Sequence, residues 1–262
     1  MNLSALPDRY RLILCDLWGC VHDGWRIFPG VPETLAGWKS EGRTVLFVTN
    51  APRSAAAIRG QLDRLGLDPA LDDGIVTAGA AGLAAVQGRP VGFCGTPEDR
   101  RDLEAGGLIV ADAGFSELAC AGLAAGETVE DYASRLADWR AADVLVHCLN
   151  PDRIVHHQGQ LMICAGALAD AYEALGGRVI WYGKPYPAIY DHALALGGVT
   201  DRSTVLAIGD GLQTDMAGAG SYGIDAIFVS GGIHAGEQPR FPDGWRPIGI
   251  VPDLGTLAPA RT

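Results

Sequence analysis

Short apolar runs alternate along the chain with alanine-rich stretches in which apolar residues recur at helical spacing. This alternation is typical of a parallel β-sheet covered by helices, because strands that are buried on both faces are apolar throughout. The runs predict strands at 11–15, 44–48, 75–77, 91–94, 108–110, 144–148, 179–182, 205–208 and 226–229. We therefore predict an α/β fold.

Two helical stretches carry clear signals. The pattern predicts a helix over 31–40 and another over 54–65, which Ser54 is placed to cap. From residue 236 onward, five prolines indicate a more loop-like tail. The apolar stretch at 248–251 favours docking of part of that tail onto the rest of the protein.

Composition limits the classes of partner. The chain has 262 residues, of which 48% are hydrophobic and 19% charged, which is enough to build a sizeable core. Lysine and arginine number 20 against 31 acidic residues, a net charge of −11. Nucleic acids and anionic membranes require basic surface, so neither is expected as a main partner. Because the sequence shows neither a signal peptide nor a membrane-length apolar run, we expect a cytoplasmic protein.

The cysteines and histidines give weaker signals. Six cysteines are scattered without a Cys-x-x-Cys pair, which favours reduced, buried thiols over disulfides or zinc. Asn150, Asp152, His156 and His157 are candidates for reading a substrate, but turn or surface positions explain them equally well.

Polar residues directly follow four of the strand patterns. Asp16 follows the first strand, Thr49 and Asn50 follow the second, Lys184 follows 179–183, and Asp210 follows 205–208 with Asp215 close behind. Open α/β sheets bind ligands at the carboxyl ends of their strands. Taken singly, each of these positions also fits an ordinary turn or a solvated loop residue.

Taken together, these segments resemble the haloacid dehalogenase (HAD) superfamily of hydrolases. The segments are Asp-Leu-Trp-Gly at 16–19, Leu-Phe-Val-Thr-Asn at 46–50, Tyr-Gly-Lys-Pro at 182–185 and Ile-Gly-Asp-Gly-Leu-Gln-Thr-Asp at 208–215. They are most similar to subfamily IIA, the branch of sugar-phosphate and nitrophenylphosphate phosphatases. The resemblance implies a Rossmann-like core at 1–78 and 180–262, with an α/β cap inserted at 79–179 and the possibility of a homodimer.

The resemblance also implies roles for the strand-end residues. Asp16 is expected to attack phosphorus and form an aspartyl-phosphate on a small phosphorylated metabolite. Mg²⁺ is expected as the cofactor, held by Asp16, by Asp210 and by the backbone carbonyl of Trp18. Lys184 is expected to act as a catalytic and phosphate-binding cation.

Three further positions complete the expected site. The Thr49 hydroxyl and the Asn50 amide are expected to bind phosphate oxygens. Asp215 is expected to orient metal-bound water or Lys184.

Trp18 is a departure from the phosphatase pattern, which has an aspartate there as the general acid and base. An indole does neither job, so activity is expected to be reduced unless His22 or Asp23 substitutes. Two alternatives stay open. One is a non-catalytic module that binds metal and phosphate, and the other is a dehalogenase, whose halide leaves without a proton. Asp210 argues against the dehalogenase, and Asp16 argues against the non-catalytic module.

Overall fold

The computed structural model describes residues 6–124, 126–157, 160–232, 239–241 and 244–258. The strands within these residues are β1 Leu12–Cys15, β2 Thr44–Thr49, β3 Gly74–Thr77, β4 Pro90–Cys94, β5 Ile109–Val110, β6 Glu117–Cys120, β7 Leu145–Cys148, β8 Ile154–His157, β9 Gln160–Ile163, β10 Arg178–Trp181, β11 Val205–Gly209, β12 Asp225–Val229 and β13 Gly249–Val251. The α-helices are α1 Val31–Ser40, α2 Ala55–Arg64, α3 Ala78–Val86, α4 Pro97–Ala105, α5 Ala133–Ala141, α6 Ala165–Ala174, α7 Pro187–Gly197 and α8 Ala217–Tyr222.

Contacts divide the chain into two compact units. The core unit comprises residues 1–49, 58–76 and 184–262, and the inserted unit comprises residues 50–57 and 77–183. The predicted boundary at 180 falls inside β10, which pairs with β7 in the inserted unit. The domain limits drawn from the sequence stay a prediction.

The core unit is built on a six-stranded sheet with the order β13-β12-β11-β1-β2-β3. The pairs that β1 forms with β2 and with β11 are parallel, and Cys15 is in register with both Phe47 and Ile208. Every residue of β1 is buried, which explains its uniformly apolar sequence. The carboxyl ends of β1, β2 and β11 therefore lie side by side, where open α/β sheets collect their ligands.

Helix α1 begins and ends as predicted from the sequence. Gly30 precedes it with φ 79°, a left-handed conformation that suits glycine, and proline occupies the first turn. The buried side chains of α1 include Leu35 and Trp38. These residues anchor the helix in the core unit by removing a large apolar area from water.

The inserted unit contains a second parallel sheet with the order β10-β7-β6-β4-β5 and a separate antiparallel hairpin of β8 and β9. The sequence pattern missed β6, because Glu117 begins it and only three apolar residues follow. The tail strand β13 pairs with β12, as the apolar stretch at 248–251 suggested. The side chains of His156 and His157 lie outside the described residues.

The six cysteines are all buried and free, so their predicted burial is confirmed, while their reduced state stays a prediction. Among the helices of the described ranges, none combines the length and the apolar character that crossing a membrane requires.

Candidate active site

Asp16 directly follows β1 in the middle of the core sheet. Its backbone amide donates a 2.8 Å hydrogen bond to the carbonyl of Ile208 in β11, which continues the sheet pairing by one residue. Its side chain is buried, with only 7% of the residue exposed. The sheet therefore holds this carboxylate at a fixed position beside the end of β11.

Lys184 forms a buried ion pair with Asp16. The Nζ atom of Lys184 donates to Oδ1 of Asp16 and, over 2.8 Å, to Oδ1 of Asp215. Burial alone lowers the pKa of Lys184, but the charges of Asp16 and Asp215 outweigh burial and hold that pKa well above its ordinary value. The ammonium group therefore stays charged.

Two hydrogen bonds to Oδ2, the second carboxylate oxygen of Asp215, fix this side chain. The Gly211 amide donates to Oδ2 over 3.1 Å, and the Thr214 hydroxyl donates to the same atom over 3.2 Å. Asp215 lies in a π-helical turn, Leu212–Met216, a local geometry that recurs at functional sites. In this turn, one oxygen of the Asp215 carboxylate binds Lys184, while the other oxygen is held by the Gly211 backbone amide.

Asp210 follows β11 and lies against two glycines. A Cβ atom on either Gly19 or Gly232 would overlap Oδ2 of Asp210. Only a residue without a side chain fits at these positions, so bare backbone surrounds the carboxylate. The residue is 2% exposed.

Asp210, Asp16 and Cys20 form one buried group of potential metal ligands. Their ligand atoms all lie within 4.8 Å of one another. The structure thus brings together the two carboxylates that the sequence predicted as metal ligands. Cys20 was not singled out, because a lone cysteine four residues after Asp16 gives no spacing signal on its own.

Thr49 and Asn50 fall in different units. Thr49 ends β2 in the core unit, beside β1. Asn50 belongs to the inserted unit, and its side-chain amide donates a 2.8 Å hydrogen bond to Oδ1 of Asp152. The Asp152 carboxylate thus holds Asn50, and a role of Asp152 in reading substrate stays a prediction.

Comparison with known proteins identifies the family. Residues 13–109 match the family of haloacid dehalogenase-like hydrolases, and residues 181–257 match a family described as HAD-hydrolase-like. The D-glycerol 3-phosphate phosphatase of Mycobacterium tuberculosis is 30% identical over 97% of this chain and 73% of its own. The chain belongs to the haloacid dehalogenase-like hydrolases.

Solved structures of the same family share the fold. A haloacid dehalogenase-like hydrolase from Brucella suis is 34% identical, covers 94% of this chain and 96% of its own, and has a TM-score of 0.83. The glycerol phosphate phosphatase from Mycobacterium tuberculosis, solved in complex with magnesium, is 26% identical with a TM-score of 0.74 and covers 98% of this chain and 78% of its own. The predicted family and fold class are confirmed.

Trp18 in this HAD-like hydrolase packs inside its own loop. A Cβ atom on Gly24 would lie 2.7 Å from the Trp18 ring, and Gly24 itself has φ 86°. The Trp18 and His22 rings meet edge to face, with centroids 5.5 Å apart. Gly24 is therefore required both for its backbone angle and for the space that the indole fills.

Each residue suggested as a substitute acid uses one side-chain atom to bind the loop of this hydrolase. His22 accepts a 3.0 Å hydrogen bond from the Gly24 amide through Nδ1, and burial lowers its pKa to about 4. Asp23 accepts from the amides of Trp25 and Arg26 through Oδ1, at 2.9 and 3.0 Å. Both side chains hold the loop together through these hydrogen bonds.

Proposed function

We propose that this hydrolase is a magnesium-dependent phosphatase that cleaves a small phosphate ester through an aspartyl-phosphate at Asp16. The observation that carries the proposal is the buried Asp16 carboxylate, which is ion-paired to Lys184 and lies beside Asp210. The phosphatase named among the relatives supports this class of reaction.

The charge balance of the group supports a divalent cation. Three buried carboxylates, those of Asp16, Asp210 and Asp215, accompany one buried ammonium group, that of Lys184. Burial raises the pKa of Asp16, and the other two carboxylates act in the same direction. A further positive charge would relieve this repulsion.

The donor chemistry fits Mg²⁺, which prefers carboxylate and carbonyl oxygens. Asp16, Asp210 and the backbone carbonyl of Trp18 would hold the ion, and the Asp210 carboxylate lies against the backbone of Gly19 and Gly232 instead of against larger side chains. When bound, Mg²⁺ would neutralise phosphate charge and polarise the phosphoryl group.

The remaining catalytic roles fall to side chains of the core unit. A carboxylate oxygen of Asp16 would attack phosphorus, form the P–O bond of the aspartyl-phosphate and release the ester oxygen. Lys184 would hold a phosphate oxygen by charge, and the Thr49 hydroxyl would donate to another. Asp215 would act through Lys184 by positioning its ammonium group. A phosphate contact from Asn50 stays a prediction.

Trp18 sets the expected preference among substrates. An indole supplies no proton to the departing oxygen, and His22 and Asp23 are engaged in the loop. The enzyme should therefore favour esters whose leaving group departs without protonation, such as aryl phosphates, over alkyl phosphates. A small phosphorylated metabolite is the proposed substrate class, while the cytoplasmic location and a homodimer stay predictions.

Release of inorganic phosphate from a panel of aryl and alkyl phosphates, with Mg²⁺ and with EDTA, tests the proposal. We expect magnesium-dependent release that favours aryl esters and is abolished by Asp16→Asn. Unchanged turnover in Asp16→Asn would overturn the nucleophile. Binding of Mg²⁺ without release from any ester would favour the non-catalytic module instead.

A further inference from the structure

Cys20 places a sulfur atom in the carboxylate group of the site. The chain turns back after β1, with the Val21 amide donating 2.8 Å to the Leu17 carbonyl, and this turn brings Cys20 towards Asp16 and Asp210. The Cys20 residue is 1% exposed, and its Sγ atom lies within 4.8 Å of an oxygen of each carboxylate.

The thiol has no competing hydrogen-bond partner. Across the part of the chain that the structure describes, the Cys20 Sγ atom makes no hydrogen bond, whereas the neighbouring Cys15 thiol donates 3.3 Å to the Asp16 carbonyl. A buried thiol without a partner, directed at two carboxylates, is available as a metal ligand. Packing alone does not require sulfur at this position, because an apolar side chain of similar size fills the same space.

The three donors suit a different class of cation from Mg²⁺. Thiolate ligands select thiophilic metals, and mixed sulfur and oxygen donors bind Zn²⁺ at bond lengths of about 2.3 and 2.1 Å. Two donors on one tetrahedral Zn²⁺ therefore lie roughly 3.6 Å apart. From separations of at most 4.8 Å, the donors of Asp16, Cys20 and Asp210 would need to approach one another by at most about 1.2 Å.

We propose that Asp16, Cys20 and Asp210 form a binding site for a thiophilic divalent cation such as Zn²⁺ or Cd²⁺. On binding, the Cys20 thiol releases its proton to solvent and a bond forms between Sγ and the metal, with no change of oxidation state. Three protein ligands leave the fourth position of a tetrahedral ion open.

The same carboxylates are those proposed for Mg²⁺, so a thiophilic ion would exclude Mg²⁺ from the site. This competition rests on the proposed function, whereas the binding of the thiophilic ion does not. Thiolate ligands select thiophilic metals, whereas carboxylate and carbonyl oxygens suit Mg²⁺. Cys20 should therefore raise the preference of the site for Zn²⁺ or Cd²⁺ over Mg²⁺ above that of the two carboxylates alone.

Titration of the full-length protein with Cd²⁺ tests the proposal by absorbance, without substrate. Binding of Cd²⁺ to a thiolate produces an ultraviolet charge-transfer band. We expect a saturable band in the wild type that weakens, with its half-saturation concentration raised on the order of tenfold or more, in Cys20→Ala, Cys20→Ser and Asp210→Asn. The serine variant keeps the side-chain volume, so loss of the band in it does not reflect a cavity.

Cys15→Ala is the matched control, because Cys15 is equally buried but bonds to a backbone carbonyl. It should keep the band. A band of unchanged size and midpoint in both Cys20 variants would overturn the proposal. A band that depends on Cys20 and Asp210, in a protein whose phosphate release is unaffected by EDTA, would support this site and count against the proposed magnesium site, which separates the two failures.

Discussion

The Nζ atom of Lys184 lies 2.8 Å from Oδ1 of Asp215, and it also donates to Asp16. Asp215 is held in turn by the Gly211 amide. One ammonium group therefore has its position set by a carboxylate that is itself fixed by the backbone. This arrangement connects the loop after β11 to the side chain that follows β1.

Asp215→Asn should lower kcat/KM for phosphate release by about 10- to 100-fold, because the amide no longer attracts or orients Lys184. The measurement is steady-state phosphate release, together with the Mg²⁺ concentration that gives half-maximal rate. If Asp215 acts through Lys184, kcat should fall more than the apparent Mg²⁺ affinity.

Thr214→Val is the matched control for Asp215→Asn. It removes one donor to Oδ2 of Asp215 but leaves the contact to Lys184 and the Gly211 hydrogen bond. We expect a change of only a few-fold. An equal loss of activity in the two variants would contradict a specific role for the Asp215 carboxylate.

Gly232→Ala should raise the Mg²⁺ requirement at least tenfold, because the added Cβ overlaps Oδ2 of Asp210 and must displace that carboxylate. The control is Gly122→Ala, where an added Cβ meets no atom within 4 Å. The measurement is the half-maximal Mg²⁺ concentration of each folded variant. The same requirement in both variants would show that Asp210 does not bind the ion.

Trp18→Asp should increase the rate on alkyl phosphates by about 10²-fold or more, and on aryl phosphates by much less, because only the alkyl leaving group needs a proton. Trp18→Phe keeps a ring beside Gly24 without adding a carboxyl group and should give no gain. Phosphate release from paired alkyl and aryl esters measures both. A folded Trp18→Asp variant with an unchanged alkyl rate would show that Trp18 does not limit turnover.

His147 makes the inserted unit sensitive to acid. Its Nε2 atom lies 2.7 Å from Oε2 of Glu117, and its Nδ1 atom lies 2.9 Å from the Tyr182 hydroxyl. Burial lowers the pKa of His147, although Glu117 acts in the opposite direction. The unfolded chain therefore binds a proton near pH 6.5 that the native protein does not yet bind.

Stability should consequently fall as the pH drops below about 6.5, by at most about 1.4 kcal/mol per pH unit from this group. Urea unfolding at about pH 7.5 and about pH 5 measures the loss, and it should be smaller in His147→Gln. An identical loss in the variant would assign the acid sensitivity to other groups.

Much of the core site could be predicted from the sequence because it depends on the ends of buried strands. Asp16, Thr49 and Asp210 each follow or end an apolar run, and the parallel pairing of β1 with β2 and β11 brings those ends together. The start of helix α2 could also be predicted, because it depends on a contact between residues close in sequence. Ser54 Oγ accepts a 3.1 Å hydrogen bond from the Ala57 amide.

Features that depend on tertiary packing could not be predicted from the sequence. Gly79 lies in the first turn of α3, where a Cβ would overlap the Pro52 carbonyl, a contact that no local pattern predicts. Its role is close packing within the inserted unit. Cys20 likewise gains its neighbours only from the turn after β1, and no local pattern records that turn.

Trapping the covalent intermediate tests directly whether Asp16 is the nucleophile. The protein is mixed with a radiolabelled aryl phosphate and Mg²⁺, quenched in acid within the first turnover and digested, and the peptide that contains Asp16 is isolated. We expect phosphate on Asp16 in the wild type and none in Asp16→Asn. Rapid phosphate release with no label on that peptide, or label on another residue, would contradict this expectation.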